Sequence, residues 1–205
     1  MLIEINEDNI DERLIEQAVR VLKKGGIIIF PTDTVYAMGC DLYNKKALAN
    51  LATLKGLKLK KANFSIICSD LRNLSDYVKP IDRSTYKLLN RSLPGPFTFI
   101  LTATNEIPRL FDTKKKEVGI RIPDNKTVKR IVEVLGNPMA TTSLNNNEDE
   151  ILEYFIDPYT IYEKLDSKIE LIIDGGTGKL EASTIVNCID GNVEIIRQGI
   201  GEVEL

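Results

Sequence analysis

An α/β fold in a single domain, built on a mixed sheet, is what this sequence predicts. Short apolar, β-branched runs interleave with amphipathic segments of helical period along the whole chain. A C-terminal pair of alternating runs, joined by Asp190-Gly191-Asn192, reads as an antiparallel hairpin, so the sheet is not purely parallel. No linker, repeat or low-complexity block divides residues 1–205, a length sufficient for one domain with a substantial core.

Residues 9–24 read as a helix with Ile10, Leu14, Ala18, Val21 and Leu22 on one face and Gly25 as its stop. Residues 26–30 form the first strong strand. Residues 44–54 are helical, with Asn44 as N-cap and Ala47, Leu48, Leu51 and Leu54 turned inward. A lysine-rich loop from Lys55 to Asn63 precedes a short strand, Phe64 to Cys68. Asp82 caps a helix over 82–91, and Pro94-Gly95-Pro96 forces a turn. Strands follow at 97–102 and 118–122. Pro123-Asp124 opens a helix that runs to Leu135, where Gly136 and Pro138 end it. Residues 139–144 form a strand that leads into a polar loop at 145–150. Asp157-Pro158 caps a short helix with Ile161, Tyr162 and Leu165. A buried strand over 169–173 and a glycine-rich turn lead to the hairpin strands 184–189 and 193–197.

The composition, 43% hydrophobic and 28% charged, is that of an ordinary globular protein. The apolar runs are of strand length, so no membrane span is expected. The acidic N-terminus lacks the basic start and long apolar stretch of a secretory signal, and the cytoplasm is the expected location. A net charge of −3 provides no overall attraction to nucleic acid. Two local basic clusters stand out against it: Lys55, Lys58, Lys60 and Lys61, then Lys114, Lys115 and Lys116. Cys40, Cys68 and Cys188 are odd in number and widely spaced, which suits neither a disulfide framework nor a zinc site. They read as reduced thiols associated with strands. The chain has 0 histidines, which removes Ser-His-Asp, Cys-His and imidazole-metal chemistry. Catalysis, if present, has to rest on positioning and on charge.

Two apparent motifs carry nothing. Asp174 to Leu180 resembles a phosphate loop, but Ile173 and Leu180 occupy the required glycine and hydroxyl positions. It reads as a turn after a buried strand. Asp149, Glu150 and Glu153 read as a solvated loop.

Polar residues instead collect at strand ends, where α/β proteins bind ligands. They lie in Pro31-Thr32-Asp33-Thr34-Val35-Tyr36, Lys55-Gly56, Pro94-Gly95-Pro96-Phe97-Thr98, Gly119-Ile120-Arg121, Thr141-Thr142-Ser143-Leu144-Asn145, Ser183-Thr184 and Arg197-Gln198-Gly199. In order and content these segments resemble the YrdC/YciO family, the threonylcarbamoyl-AMP synthase type, from about Ile10 to Gly201. The resemblance implies a twisted, open sheet with flanking helices around a large concave groove. It implies synthesis of L-threonylcarbamoyladenylate from ATP, L-threonine and bicarbonate for tRNA N6-threonylcarbamoyladenosine modification. A non-synthase member binding double-stranded RNA or a nucleotide is the alternative. Mg²⁺ accompanying ATP, RNA or tRNA, and tRNA-modification proteins are the implied cofactor and partners.

Under this resemblance Thr32, Thr34, Tyr36, Arg121 and Ser183 hold the threonine side. Arg121 is suited to the carboxylate because a planar guanidinium pairs with it in bidentate fashion. Lys55, Lys58, Thr141, Ser143, Asn145 and Arg197 serve the nucleotide. No metal ligand set and no acid/base residue is assigned. Synthase members carry Lys-x-Arg after the second helix, whereas Leu57 stands here at the arginine position and Lys58 is displaced by one residue. Ala37 replaces the usual glycine. Tyr36 to Cys40, Asn63-Phe64-Ser65 and Pro138 to Leu144 look closer to the YciO branch.

Overall fold

In Ile27-Ile28-Ile29-Phe30 every side chain is buried, yet alternate residues serve different cores. Ile28 and Phe30 join one apolar cluster, and Ile27 and Ile29 join another, as the two-residue period of a strand requires. The run is continuous because both faces of the sheet are covered there. A computed structural model describes residues 1–144 and 155–203. In chain order its elements are β1 (Leu2–Glu4), α1 (Glu12–Lys23), β2 (Ile28–Phe30), β3 (Ala37–Asp41), α2 (Lys45–Leu54) and β4 (Ser65–Ile67). They continue with α3 (Arg83–Ser92), β5 (Phe97–Thr102), α4 (Glu106–Leu110), β6 (Glu117–Arg121), α5 (Lys126–Leu135) and β7 (Met139–Ser143). The last are α6 (Pro158–Leu165), β8 (Leu171–Asp174), β9 (Thr184–Asn187) and β10 (Glu194–Arg197).

The strands form one mixed sheet in the order β1-β8-β2-β3-β7-β4-β6-β5-β9-β10. Neighbours β1/β8, β8/β2, β4/β6 and β5/β9 are parallel and the other pairs antiparallel. Helices α1 and α5 cover one face through Ile15, Ala18, Val19, Leu22, Val128, Ile131, Val132 and Leu135. Ala47, Leu48, Leu51 and Ala52 of α2 and Ile161 of α6 cover the other.

Helix starts follow side-chain capping. Asn44, Asp82 and Asp157 accept hydrogen bonds from the backbone N–H of Ala47, Thr85 and Thr160, as the sequence predicts. For α5 the cap is Asn125, bonded to the Val128 N–H, and not Asp124, so the helix begins later than expected. Gly136 ends it at φ 78°, a left-handed conformation that favours glycine. The fully buried stripe of α1 is Ile15, Ala18, Val19 and Leu22, which corrects the expected face. Ile10, Leu14 and Val21 only flank it, because the helix wedges against both the sheet and α5 and buries a wider stripe.

Three elements carry no clear signal in the sequence. Strand β3 carries Ala37, Gly39 and Asp41, which disfavour strands. Gly39 is there because a Cβ would lie 2.9 Å from the Ala140 carbonyl oxygen of β7. Strand β1 is only three residues long, and α4 is five residues around Pro108, too short for a periodic signal. The hairpin is present: β9 and β10 pair antiparallel across a turn containing Asp190 at φ 56° and Gly191 at φ 75°.

Candidate functional site: an uncovered sheet face lined by hydroxyls and cations

Strand pairing places Ala37 beside Ser143, Gly39 beside Thr141, Thr141 beside Ser65, Ser65 beside Gly119, and Gly119 beside Ile100. Thr98 pairs with Ile185. Directly paired residues share a face. This is the face that carries Ile28, Phe30, Ile67 and Met139 under α1 and α5. The two helices cover its apolar part and leave the row of small and hydroxyl residues uncovered. The candidate site is that uncovered remainder.

A cavity of about 400 Å³ lies on it. Its lining includes Lys55, Leu57, Arg121, Ser143, Ser183 and Arg197, together with Ala37, Asn63, Ser65, Thr98, Thr141, Thr142 and Ile185. The charged side chains among the described lining residues are all cationic. A smaller cavity of about 270 Å³ adjoins it through Asn63, Ser65, Thr98 and Ile185. Phe64, Ile100, Phe111, Val118 and Ile196 make it more apolar. Gly119 forms its floor: a Cβ there would lie 2.6 Å from Ser65 Oγ and 3.1 Å from Thr98 Cγ2.

Arg121, at the end of β6, is buried. Its Nη2 donates to Thr34 Oγ1 at 2.6 Å, Asp33 Oδ1 at 2.9 Å and Thr32 Oγ1 at 3.0 Å. Its Nε is buried with no hydrogen-bond partner. Burial pushes the guanidinium below its ordinary value, Asp33 pulls it back up, and nearby Arg197 opposes that. Arg197 donates to the Ser183 carbonyl at 2.8 Å, and the Ser183 and Thr98 hydroxyls meet at 2.9 Å. Burial also pushes the half-buried Lys55 ammonium down.

The structure therefore gathers Lys55, Arg121, Thr141, Ser143, Ser183 and Arg197 around one cavity. Leu57 is 45% exposed on its wall, so the departure from the synthase pattern falls at the site itself. Thr32 and Thr34 do not line the cavity, but they brace Arg121.

Tyr36 requires a correction. It is fully buried, and its hydroxyl donates to the Gly176 carbonyl at 2.7 Å and accepts from the Gly175 N–H at 3.2 Å. It pins the glycine turn after β8, which lacks the residues of a phosphate loop. Desolvation raises its hydroxyl pKa to about 12. Lys58 is exposed at the start of a 3-10 turn and does not line the cavity. Asn145, Asp149, Glu150 and Glu153 lie outside the described residues.

Asp33, Ser65, Thr98 and Gly119 belong to the site without standing out in the sequence. Each lies in or beside a quoted motif, but only the strand order shows that they converge. The two lysine clusters also converge. Thr113 Oγ1 donates to the Lys60 carbonyl at 3.3 Å, and Lys115 Nζ donates to Asn63 Oδ1. Lys58, Lys60, Lys61, Lys114, Lys115 and Lys116 are exposed. Cys40, Cys68 and Cys188 are buried and unpaired, and burial raises their thiols to about 12, 12 and 11. Among the described residues no helix is long and apolar enough to cross a membrane.

A family model, Sua5/YciO/YrdC, described as "Telomere recombination", matches residues 20–199. The chain is 37% identical to the Escherichia coli protein named YciO over 201 residues, 98% of this chain and 96% of that one. The E. coli YciO crystal structure superposes with a TM-score of 0.88 at 36% identity, covering 98% and 97% of the two chains. A Coxiella burnetii protein named threonylcarbamoyl-AMP synthase is 29% identical over 180 residues, 87% of this chain and 95% of that one. A crystal structure of P. abyssi Sua5 complexed with L-threonine matches at TM-score 0.87 and 25% identity, covering 99% of this chain and 62% of that one. By the extent of the family match and of the YciO identity, the chain belongs to the Sua5/YciO/YrdC family.

Proposed function

We propose that the cavity binds L-threonine and ATP and forms L-threonylcarbamoyladenylate with bicarbonate. The supporting observation is a lining of hydroxyls with Lys55, Arg121 and Arg197 and no carboxylate among the described lining residues. That is the donor set for a carboxylate and a polyphosphate. The adjoining apolar cavity offers room for a base beside the phosphates. In the reaction the threonine nitrogen bonds to the bicarbonate carbon with loss of water. An oxygen of the resulting carbamate then attacks the α-phosphorus and displaces pyrophosphate. Held side by side, these groups need orientation and charge stabilisation more than an acid/base residue. Among the described residues no group of three or more carboxylates or cysteines could hold a resident metal, so Mg²⁺ is expected with ATP, as part of the substrate.

The test is pyrophosphate release with ATP, Mg²⁺, threonine and bicarbonate. A folded protein that shows no threonine-dependent release refutes the proposal. The converged lysines favour a second reading, an RNA-binding module. That reading requires RNA affinity that falls steeply with salt and with charge removal at Lys114, Lys115 and Lys116. No RNA binding at low salt would rule it out.

A further inference from the structure

The turn Thr32-Asp33-Thr34 and Arg121 form a closed unit whose bond directions can be worked out. Thr32 donates its single hydroxyl hydrogen to the Val35 carbonyl at 2.7 Å, so toward Arg121 it is an acceptor. Thr34 accepts from Arg121, and its own hydrogen is available to Thr32 Oγ1 at 3.1 Å. Asp33 uses both oxygens: Oδ1 accepts from Arg121 Nη2, and Oδ2 accepts from the Asp124 backbone N–H at 3.1 Å. One carboxylate therefore bridges the two ends of the bend 121–124. The Asp33 and Arg121 side chains are only 8% and 6% exposed.

This ion pair has no net charge, whereas the described partners of Arg197, elsewhere in the lining, are the neutral carbonyl and hydroxyl of Ser183. A polyphosphate gains little at a neutral pair. A zwitterionic amino acid loses nothing there, since its carboxylate needs one well-placed donor and its amine is not repelled. Arg121, which lines the cavity, is that donor.

We infer that Asp33 is a positioning and specificity-determining residue: it fixes the Arg121 guanidinium and cancels its charge, so that this end of the cavity accepts the carboxylate of a zwitterionic amino acid and rejects phosphate. The inference rests on the threonine-and-nucleotide reading and gives that site its polarity, with the amino acid at Arg121 and the phosphates at Lys55 and Arg197.

The experiment is calorimetric titration of the full chain with L-threonine and, separately, with inorganic pyrophosphate. Asp33→Asn leaves the Arg121 charge uncancelled and loosens its hold. It should weaken threonine by roughly tenfold or more and tighten pyrophosphate several-fold. A merely structural role moves both affinities the same way, and parallel weakening overturns the inference, as does unchanged threonine affinity. A wild-type protein that binds neither ligand overturns the underlying reading instead. Because the new amide would face the Asp124 N–H, a second variant guards against a folding defect. Thr34→Val removes one guanidinium acceptor without changing charge. It should weaken threonine and leave pyrophosphate alone, and the reverse pattern also overturns the inference.

Discussion

Replacing Arg121 by alanine should destabilise the protein far more than the loss of a surface ion pair. The two charged side chains of this pair are 6% and 8% exposed. Without Arg121, Asp33 retains the bond from the Asp124 N–H, and its charge is left in a buried setting. Stranding a buried charge costs about 3–5 kcal/mol, against about 0–1 kcal/mol for exposed pairs. The whole domain is stable by about 5–15 kcal/mol, so the variant is expected to be marginal at 37 °C. Removing Asp33 as well deletes the stranded charge. Arg121→Ala combined with Asp33→Ala should therefore recover part of the loss, with a coupling of about 1–3 kcal/mol. The assay is urea unfolding followed by circular dichroism, comparing midpoints at constant slope across the four members of the cycle. A cost below about 1 kcal/mol for Arg121→Ala, or a coupling below about 0.5 kcal/mol, would refute the view of Arg121 and Asp33 as a buried, mutually dependent pair.

Tyr36→Phe loses the bonds to Gly175 and Gly176 and should cost about 1–2 kcal/mol in the same unfolding assay. Its threonine affinity should stay near wild type, and a selective loss of threonine would return Tyr36 to the ligand. Gly119→Ala pushes Ser65 and Thr98 toward the cavity, so nucleotide binding should fall at least several-fold with a stability change within about 1 kcal/mol. Unchanged binding would place the ligand elsewhere. Lys55 titrates below the ordinary lysine value of 10.5 because burial disfavours its charge. Between its lowered value and 10.5 the unfolded chain binds more protons than the native one, so its contribution to stability rises with pH there. Nucleotide affinity should fall over the same window as the ammonium is lost, and Lys55→Met should remove that fall. A wild-type affinity flat through this range would exclude Lys55 as a phosphate ligand. The three thiols, raised by burial, should react with a disulfide reagent only after unfolding, and fast native labelling would contradict their burial.

Local physics explains which features were readable in the chain. The caps at Asn44, Asp82 and Asp157, the stop at Gly136 and the apolar strand before Pro31 depend on neighbouring residues, and all are visible in sequence order. Strand β3 was hidden because its composition answers to β7 across the sheet: Gly39 is required by the Ala140 carbonyl, not by its own neighbours. Tyr36 was misread for a related reason. A hydroxyl beside a polar strand end suggests a ligand, but this one reaches a glycine turn 140 residues away.

By itself, the sequence determined the α/β class, the family, the lack of imidazole chemistry and the set of strand-end residues from which a site had to be drawn. The tertiary structure alone decided how those residues divide. Strand register places Thr141, Ser65 and Gly119 in one row with Thr98 beside it, and the reach of α1 and α5 leaves these residues to line a cavity. The Asp33 and Arg121 charges, 88 residues apart in sequence, become one neutral unit. Pairing across a sheet and the burial of a charge are long-range properties. No window of neighbouring residues contains them.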